Sequence, residues 1–441
     1  MNSHGHKELA EARARQALAL NAADWRASTL LAEVVEGSRG IETLKPAIER
    51  LASSDEWKQN ALVRLGLAKM LFITAELSWK EGQADTAISY WSRAVDVDFT
   101  DNVRVIRCLK SYANGERWGE FIAVLRKMDE RSTEQQQGTS ELIAARSFPH
   151  DMFLQAALHT SELAFAVGAY ERSIQLIEER GERATLSLLR YRFGRAINAQ
   201  QNGSSRAIKQ WRQALDGADS YTMSTLISCI APYYVQQAMA AGPDTEAVSS
   251  YLEKIETLLP EGVPEAEVIL PPRVYIARYY KKQGNLSEAK RIARHVVQLS
   301  LEILSDDDEG NDLPAYNQLL SIFIAFGDIK NALATRALIA VHFMEQQIDC
   351  DGDCNRSMNI AEEMKWCQDC ILVHLDEECR RKVEQNRLPY STCNASHELL
   401  RAPRMEESLR NMPKDSVPFG DDWVSFTDWL GLIEKDYVSF E

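Results

Sequence analysis

The sequence holds no run of 18 uncharged apolar residues, so no membrane-spanning helix is expected. It opens without an apolar core ahead of its first charges, which argues against a secretory signal. Proline and glycine are sparse, at 13 and 21 of 441 residues. That is too few for a Pro/Gly-rich disordered chain or for a protein of many short β-turns. Positive charge is in deficit: 50 Lys and Arg face 65 Asp and Glu, for a net charge of -15. Binding phosphate needs clustered cations, so neither nucleic acid nor an anionic membrane is an expected partner. Signatures of catalysis are also missing. No G-x4-G-K-[ST] phosphate loop, H-E-x-x-H, G-x-S-x-G elbow or glycine-rich dinucleotide turn occurs. A non-enzymatic protein of the cytoplasm, or of the nucleus, is expected.

What the chain does have is helical periodicity. From the start to residue 347, apolar residues recur at three-to-four spacing, as in EWKQNALVRLGLAKMLFITAELSWKEG and LPAYNQLLSIFIAFGD. The opening reads as one helix with Ala10, Ala14, Ala17 and Leu20 on one face. A chain that starts inside such a helix reads as the later part of a longer architecture. A unit then recurs. Gly82 is followed five residues later by Ala87, Gly242 by Ala247, Gly284 by Ala289 and Gly327 by Ala332. Weaker copies occur at VGAYERSIQLIEE, with Gly168 and Ser173, and at QQNGSSRAIKQWRQAL, shifted by one residue. Glycine permits the turn that ends one helix, and the small alanine lets the next helix cross it closely. Each hairpin leaves an apolar face open, so neighbours must stack. Seven to nine helical pairs are expected.

Gly82, Ala87, Trp91 and Ala94 stand at the spacing of the second half of a tetratricopeptide repeat. With units about 40 residues apart rather than roughly 34, the region resembles the elongated, MalT-like repeats of large bacterial and fungal regulators. One departure is Arg336, where an aromatic or small residue is usual. The resemblance implies an all-α solenoid of helical hairpins over residues 1–347, capturing peptide or protein partners. Trp118 and Tyr170 are candidate anchors, although aromatics at helical spacing are more often core. The acidic run from Ser305 to Asp312 reads as a solvated loop.

Of eight cysteines, six crowd between Cys350 and Cys393. Cys108 and Cys229 stand alone in helical patterns and read as small core residues. The crowded set points to metal rather than disulfides in a cytosolic chain. Its ligand candidates are Cys350 and Cys354, Cys367 and Cys370, Cys379, and Cys393 with His397. Close pairs suit zinc, because two thiolates on one knuckle reach one tetrahedral ion and a distant pair closes the site. Two pairings are open. A cross-brace joins Cys367, Cys370, Cys393 and His397, and leaves Cys350, Cys354 and Cys379 short of a fourth ligand. A sequential arrangement joins Cys350, Cys354, Cys367 and Cys370. The cross-brace is preferred because it uses all six cysteines.

WCQDC (366–370), DEECRRK around Cys379 and CNASHELLRAP (393–403) resemble the Cys-rich module near the end of large fungal repeat proteins, itself similar to a ZZ-type zinc finger. The resemblance implies a structural zinc module over residues 348–404. It also implies a cysteine three positions after Cys379, where this chain has Lys382. A second zinc site would then need His374 or Asp376. Asp349, Asp351 and Asp353 alternate as in a calcium loop, but Cys354 and Ile360 fill positions that need Gly and Glu. A MYND finger would end in His-x3-Cys and a RING would need a further cysteine pair. His4 and His6 read as a flexible terminus, and His374 as a surface helix residue. Residues 405–441 form an aromatic tail in which Trp429, Leu430, Leu432 and Ile433 suit a short helix packing on the module. The expected function is a protein-interaction scaffold with a structural zinc module. The alternative is a component of ubiquitin or chromatin-modifying machinery whose finger reads a partner tail.

Overall fold

Left-handed residues recur along the chain and set where several of the helices turn back. The structure is a computed structural model that describes all residues except 1–2, 22–23, 36, 132–137, 202–203, 243–244, 266–267, 307, 344–346, 353, 355, 372, 386–387, 389–392, 394, 406–408, 410–411, 414 and 440–441. Gly82, Gly284 and Gly327 have φ of 74°, 75° and 65°. After each, an amide reaches back five residues: Gln83 to Ser78 at 2.9 Å, Asn285 to Tyr280 at 3.0 Å and Asp328 to Phe323 at 2.8 Å. This six-to-one bond satisfies a carbonyl that the helix end would otherwise orphan. The same bond closes two more turns, Arg117 to Tyr112 and Glu162 to Ala157. There the left-handed residues are Glu116 and Ser161, at φ of 55° and 60°.

That finding corrects the reading of VGAYERSIQLIEE. Gly168 lies inside a helix, and the turn residue is Ser161. Counting from each turn residue, position five is Ala87, Phe121, Ala166, Ala289 and Ala332, all fully buried. Position nine is Trp91, Leu125, Tyr170, Ala293 and Arg336, each at most 1% exposed. At these five turns the repeat is set by buried slots at fixed distances from the turn, with or without glycine; Gly242 is also left-handed, but Ala247 and Tyr251 after it are only half-buried. Gly203 lies outside the described residues.

The chain forms two compact units, Met1–Arg180 and Gly181–Glu441. The first contains α1 (Ser3–Leu20), α2 (Trp25–Val35), α3 (Gly37–Ser53), α4 (Glu56–Gln59), α5 (Ala61–Lys80), α6 (Ala84–Val97), α7 (Asn102–Asn114), α8 (Trp118–Arg131), α9 (Gly138–Ala144), α10 (His150–His159) and α11 (Leu163–Arg180). Consecutive helices pack as pairs, among them α5 with α6, α7 with α8 and α10 with α11. Trp91 fills the centre of one such pair, its ring 5.3 Å from Trp79 and 5.0 Å from Tyr112. Tyr170 is buried and pairs with His150, so it is core; Trp118 is half-buried and stacks on His159 at 5.3 Å. At the start, Ala14 is buried but Leu20 is 84% exposed, against the expected face. His6 lies exposed in α1 rather than on a loose terminus, and the His4 side chain lies outside the described residues.

The second unit continues the pairs: α12 (Arg183–Gln200), α13 (Ser205–Ala214), α14 (Ser220–Ala241), α15 (Thr245–Glu256), α16 (Pro272–Lys282), α17 (Leu286–Ile303), α18 (Asp312–Phe326) and α19 (Ile329–His342). Of the acidic run, residues 305–306 and 308–311 are exposed ahead of α18 and Asp312 opens that helix; Asp306 accepts from the Asp308 amide and from Asn311. Short strands follow: β1 (Gln347–Asp349), β2 (Ser357–Asn359), β3 (Met364–Cys367), β4 (His374–Leu375), then α20 (Glu377–Glu384), β5 (Leu399–Ala402), β6 (Ser416–Phe419) and β7 (Asp422–Ser425). They make two antiparallel hairpins and one three-stranded sheet ordered β4-β3-β5. The chain closes with α21 (Phe426–Ile433) and one π turn, Glu434–Val438.

The tail forms the expected helix but finds a different bed. Trp429 is fully buried and donates its indole N–H to Asn331 of α19 at 2.9 Å. Tyr437 donates to Asp328 at 2.8 Å and lies against Phe323 and Phe326 of α18. These buried contacts go to the last helical pair rather than to the cysteine segment. The reason is that α18 and α19 end the stack and still carry apolar surface that a further repeat would have covered.

Candidate metal centre

The three-stranded sheet builds the first cluster. In β3, Trp366 stands opposite His374 of β4 and Leu400 of β5, and Cys367 stands opposite Leu399. That register brings His397, two residues before Leu399, beside the knuckle that runs from Cys367 to Cys370. The knuckle is tight: the Cys370 amide donates to Cys367 Sγ at 3.2 Å and the Ile371 amide to the Cys367 carbonyl at 2.9 Å. Ile371 has a φ of 64°, rare for a β-branched residue, and its side chain is fully buried. Holding it there costs on the order of 1–3 kcal/mol, which the surrounding bonds offset.

Ligand atoms of Cys367, Cys370, Cys393 and His397 all lie within 4.8 Å of one another. His397 Nδ1 is 3.5 Å, 3.3 Å and 3.6 Å from the sulfurs of Cys367, Cys370 and Cys393. A tetrahedral ion with metal–sulfur bonds of about 2.3 Å and metal–nitrogen bonds of about 2.0 Å sets sulfur and nitrogen about 3.5 Å apart. The donor set therefore fits such an ion. Hydrogen bonds from Cys370 and Cys393, and one from His397, pull the Cys367 thiol strongly down, so a thiolate forms readily there. Cys370 is pushed up instead, because its thiol donates to Cys367 and Cys393, is buried, and lies beside their negative charge. A divalent cation removes that conflict.

The second cluster gathers Cys350, Cys354, Asp376 and Cys379, again within 4.8 Å. Cys350 follows β1 and its amide donates to the Arg356 carbonyl at 2.8 Å, closing the loop that carries Cys354. Gly352 in that loop has no room for a side chain: a Cβ there would stand 2.3 Å from Cys379 Sγ. Burial raises the Cys350 thiol to about 12 and also raises Cys379. The first ligand pair thus joins the third and the second joins the fourth, and the sequential four-cysteine grouping does not form among the described residues. His374 is not in either cluster. It sits in β4 rather than on a surface helix, its amide donating to Asp351 at 2.8 Å. Asp353 lies outside the described residues. Of the lone cysteines, Cys108 is buried and Cys229 half-buried.

Several residues that hold this segment carry no motif. The Tyr275 hydroxyl of α16 donates to the Cys370 carbonyl at 3.0 Å. Arg278 donates to Asp369 at 3.3 Å and to the Ala325 carbonyl at 3.0 Å, and Lys282 pairs with Asp369 as well. Burial works against the Asp369 charge, yet these cations keep its carboxyl below the usual range. Arg336 of α19 is fully buried. It donates to the carbonyls of Ile360 and Pro403, each at 2.6 Å, and of Glu362, and lies 5.6 Å from the Trp366 ring centre. Burial lowers its pKa to about 10, which leaves it charged at neutral pH. The residue that breaks the repeat pattern at position nine is thus the bolt between the helices and the cysteine segment. Its oddity in the repeat was the one sequence signal of that role.

No helix among the described residues is long and apolar enough to cross a membrane. No family model and no curated protein matches the chain. Among solved structures 27 chains match, one of them described as "Circular tandem repeat protein with novel repeat topology and enhanced subunit contact surfaces". It is 14% identical over 77% of this chain and 78% of that one, with a TM-score of 0.18. So weak a superposition adds nothing to what the packing of the chain itself shows: paired helices in repeat-like order, ending in two cysteine-rich clusters positioned to hold metal.

Proposed function

We propose that the protein is a non-enzymatic scaffold whose tetratricopeptide-like helical pairs capture peptide or protein partners, and whose terminal segment is a structural zinc module. The observation that carries this reading is the recurring turn with its buried fifth and ninth positions, the packing unit of a stacking repeat. Such stacks offer long surfaces to extended or helical ligands. Zinc is favoured over harder ions because the first cluster offers three sulfurs and one imidazole. Four protein ligands leave no open position for substrate, which supports a structural role.

The test is calorimetric titration of the purified chain with a candidate partner segment, run beside assays for ubiquitin discharge and methyl transfer. The expected result is saturable binding with a negative heat-capacity change and no turnover. Turnover that survives purification would overturn the scaffold reading. A purified protein without zinc would overturn the metal reading.

A further inference from the structure

We propose that the Asp376 carboxylate is the fourth ligand of a second divalent-metal site, with Cys350, Cys354 and Cys379, and that this site exchanges its ion more readily than the first. The inference rests on the metal-bound reading of the module given above. Its basis is how the carboxylate is shared. Asp376 caps α20: Oδ1 accepts the Cys379 amide at 2.7 Å, while Oδ2 faces Cys354 Sγ at 3.3 Å. One oxygen is anchored by the backbone and the other is aimed into the sulfur cluster. That is how outer hydrogen bonds orient a ligating group. For a tetrahedral ion with a metal–oxygen bond of about 2.0 Å, the expected sulfur–oxygen separation is about 3.5 Å.

A second observation points the same way. Asp376 is 7% exposed, no ion pair among the described residues includes it, and the one cation that acts on its charge, Arg356, does so from beyond ion-pair distance. A covered carboxylate held among three thiols is a place where a divalent cation gains more than in water. Lys382, at the position where the resembling module has its fourth cysteine, pairs with Glu378 at 3.3 Å. Residues 376 and 382 lie three positions either side of Cys379, each about one helical turn from it. A carboxylate is a harder ligand than a thiolate, so the site holds a soft or borderline ion less tightly than the three-cysteine, one-histidine site. The two sites then empty in order, and the β1–β2 hairpin and α20 lose their clamp before the knuckle on α16 does.

The experiment is elemental analysis of the full-length chain and of Asp376→Asn, followed by titration with a zinc chelator. Asparagine keeps the cap acceptor but removes the charge. The expected result is two zinc ions per chain in the native protein and one in Asp376→Asn, with the early phase of chelator release missing from the variant. Its remaining ion, and an unchanged helical dichroism signal, report that the variant is folded. One ion in the native chain, or two in the variant, overturns the proposal. No zinc in either overturns the metal reading of the previous subsection instead.

Discussion

Replacing Arg336 by lysine isolates the bolt between helices and cysteine segment, because it keeps the charge and changes only the shape of the donor. The guanidinium reaches three carbonyls, those of Ile360, Glu362 and Pro403, from a fully buried position. An ammonium at the end of a four-carbon stem is a compact point and does not spread across three separated acceptors. One or two carbonyls are then left buried and unpaired, at about 1–3 kcal/mol each. The buried charge keeps its desolvation cost, so nothing offsets the loss. A destabilisation of about 3 kcal/mol follows, roughly a hundredfold in the opening equilibrium of the segment. Hydrogen exchange read by mass spectrometry is the suitable assay, since it separates residues 357–367 and 399–405 from the helices. Protection there is expected to fall about a hundredfold, while α5 to α8 are unchanged. Exchange within threefold of the native protein at those residues would show that Arg336 is not what holds the module.

Other outcomes are as definite. Cys370→Ser or His397→Ala is expected to release the ion of the first cluster and loosen the knuckle on α16, with helical dichroism nearly intact; elemental analysis and dichroism together check this. At Gly284, a Cβ would meet open space, so Gly284→Ala costs only the left-handed backbone, about 1–2 kcal/mol. At Gly194, a Cβ would stand 2.3 Å from the Trp211 indole nitrogen; Gly194→Ala should lose about 1–3 kcal/mol through overpacking alone, and urea titration measures both. Trp429→Ala removes a fully buried ring that also bonds Asn331. A loss of about 3–5 kcal/mol should free the tail from α19, seen as rapid proteolysis near residue 420 with the rest of the chain resistant.

Much of the architecture was legible because stacking repeats write their geometry locally. Gly82, Gly284 and Gly327 mark turns because only glycine adopts φ near 70° at no steric cost. The turns are hidden where the chain accepts that cost with Glu116 and Ser161, so Gly168 reads as a turn although it lies inside α11. The ligand pairs were legible too, since a knuckle needs its two sulfurs close in sequence.

Local spacing by itself determined the helical pairs, the buried alanines and the crowding of metal-type ligands, because turns, helix faces and knuckles each span only a few residues. Only the tertiary structure decided which pairs of ligands meet, that Asp376 joins the second cluster, and that the tail packs on the last helices. It also turned Arg336 from a blemish in the repeat into a tether. Those outcomes depend on strand register and on which apolar surface the end of a stack leaves uncovered. Both are properties of residues far apart in the chain, 109 positions between Asp328 and Tyr437 and 146 between Lys290 and Asp436, and no short window of sequence contains them.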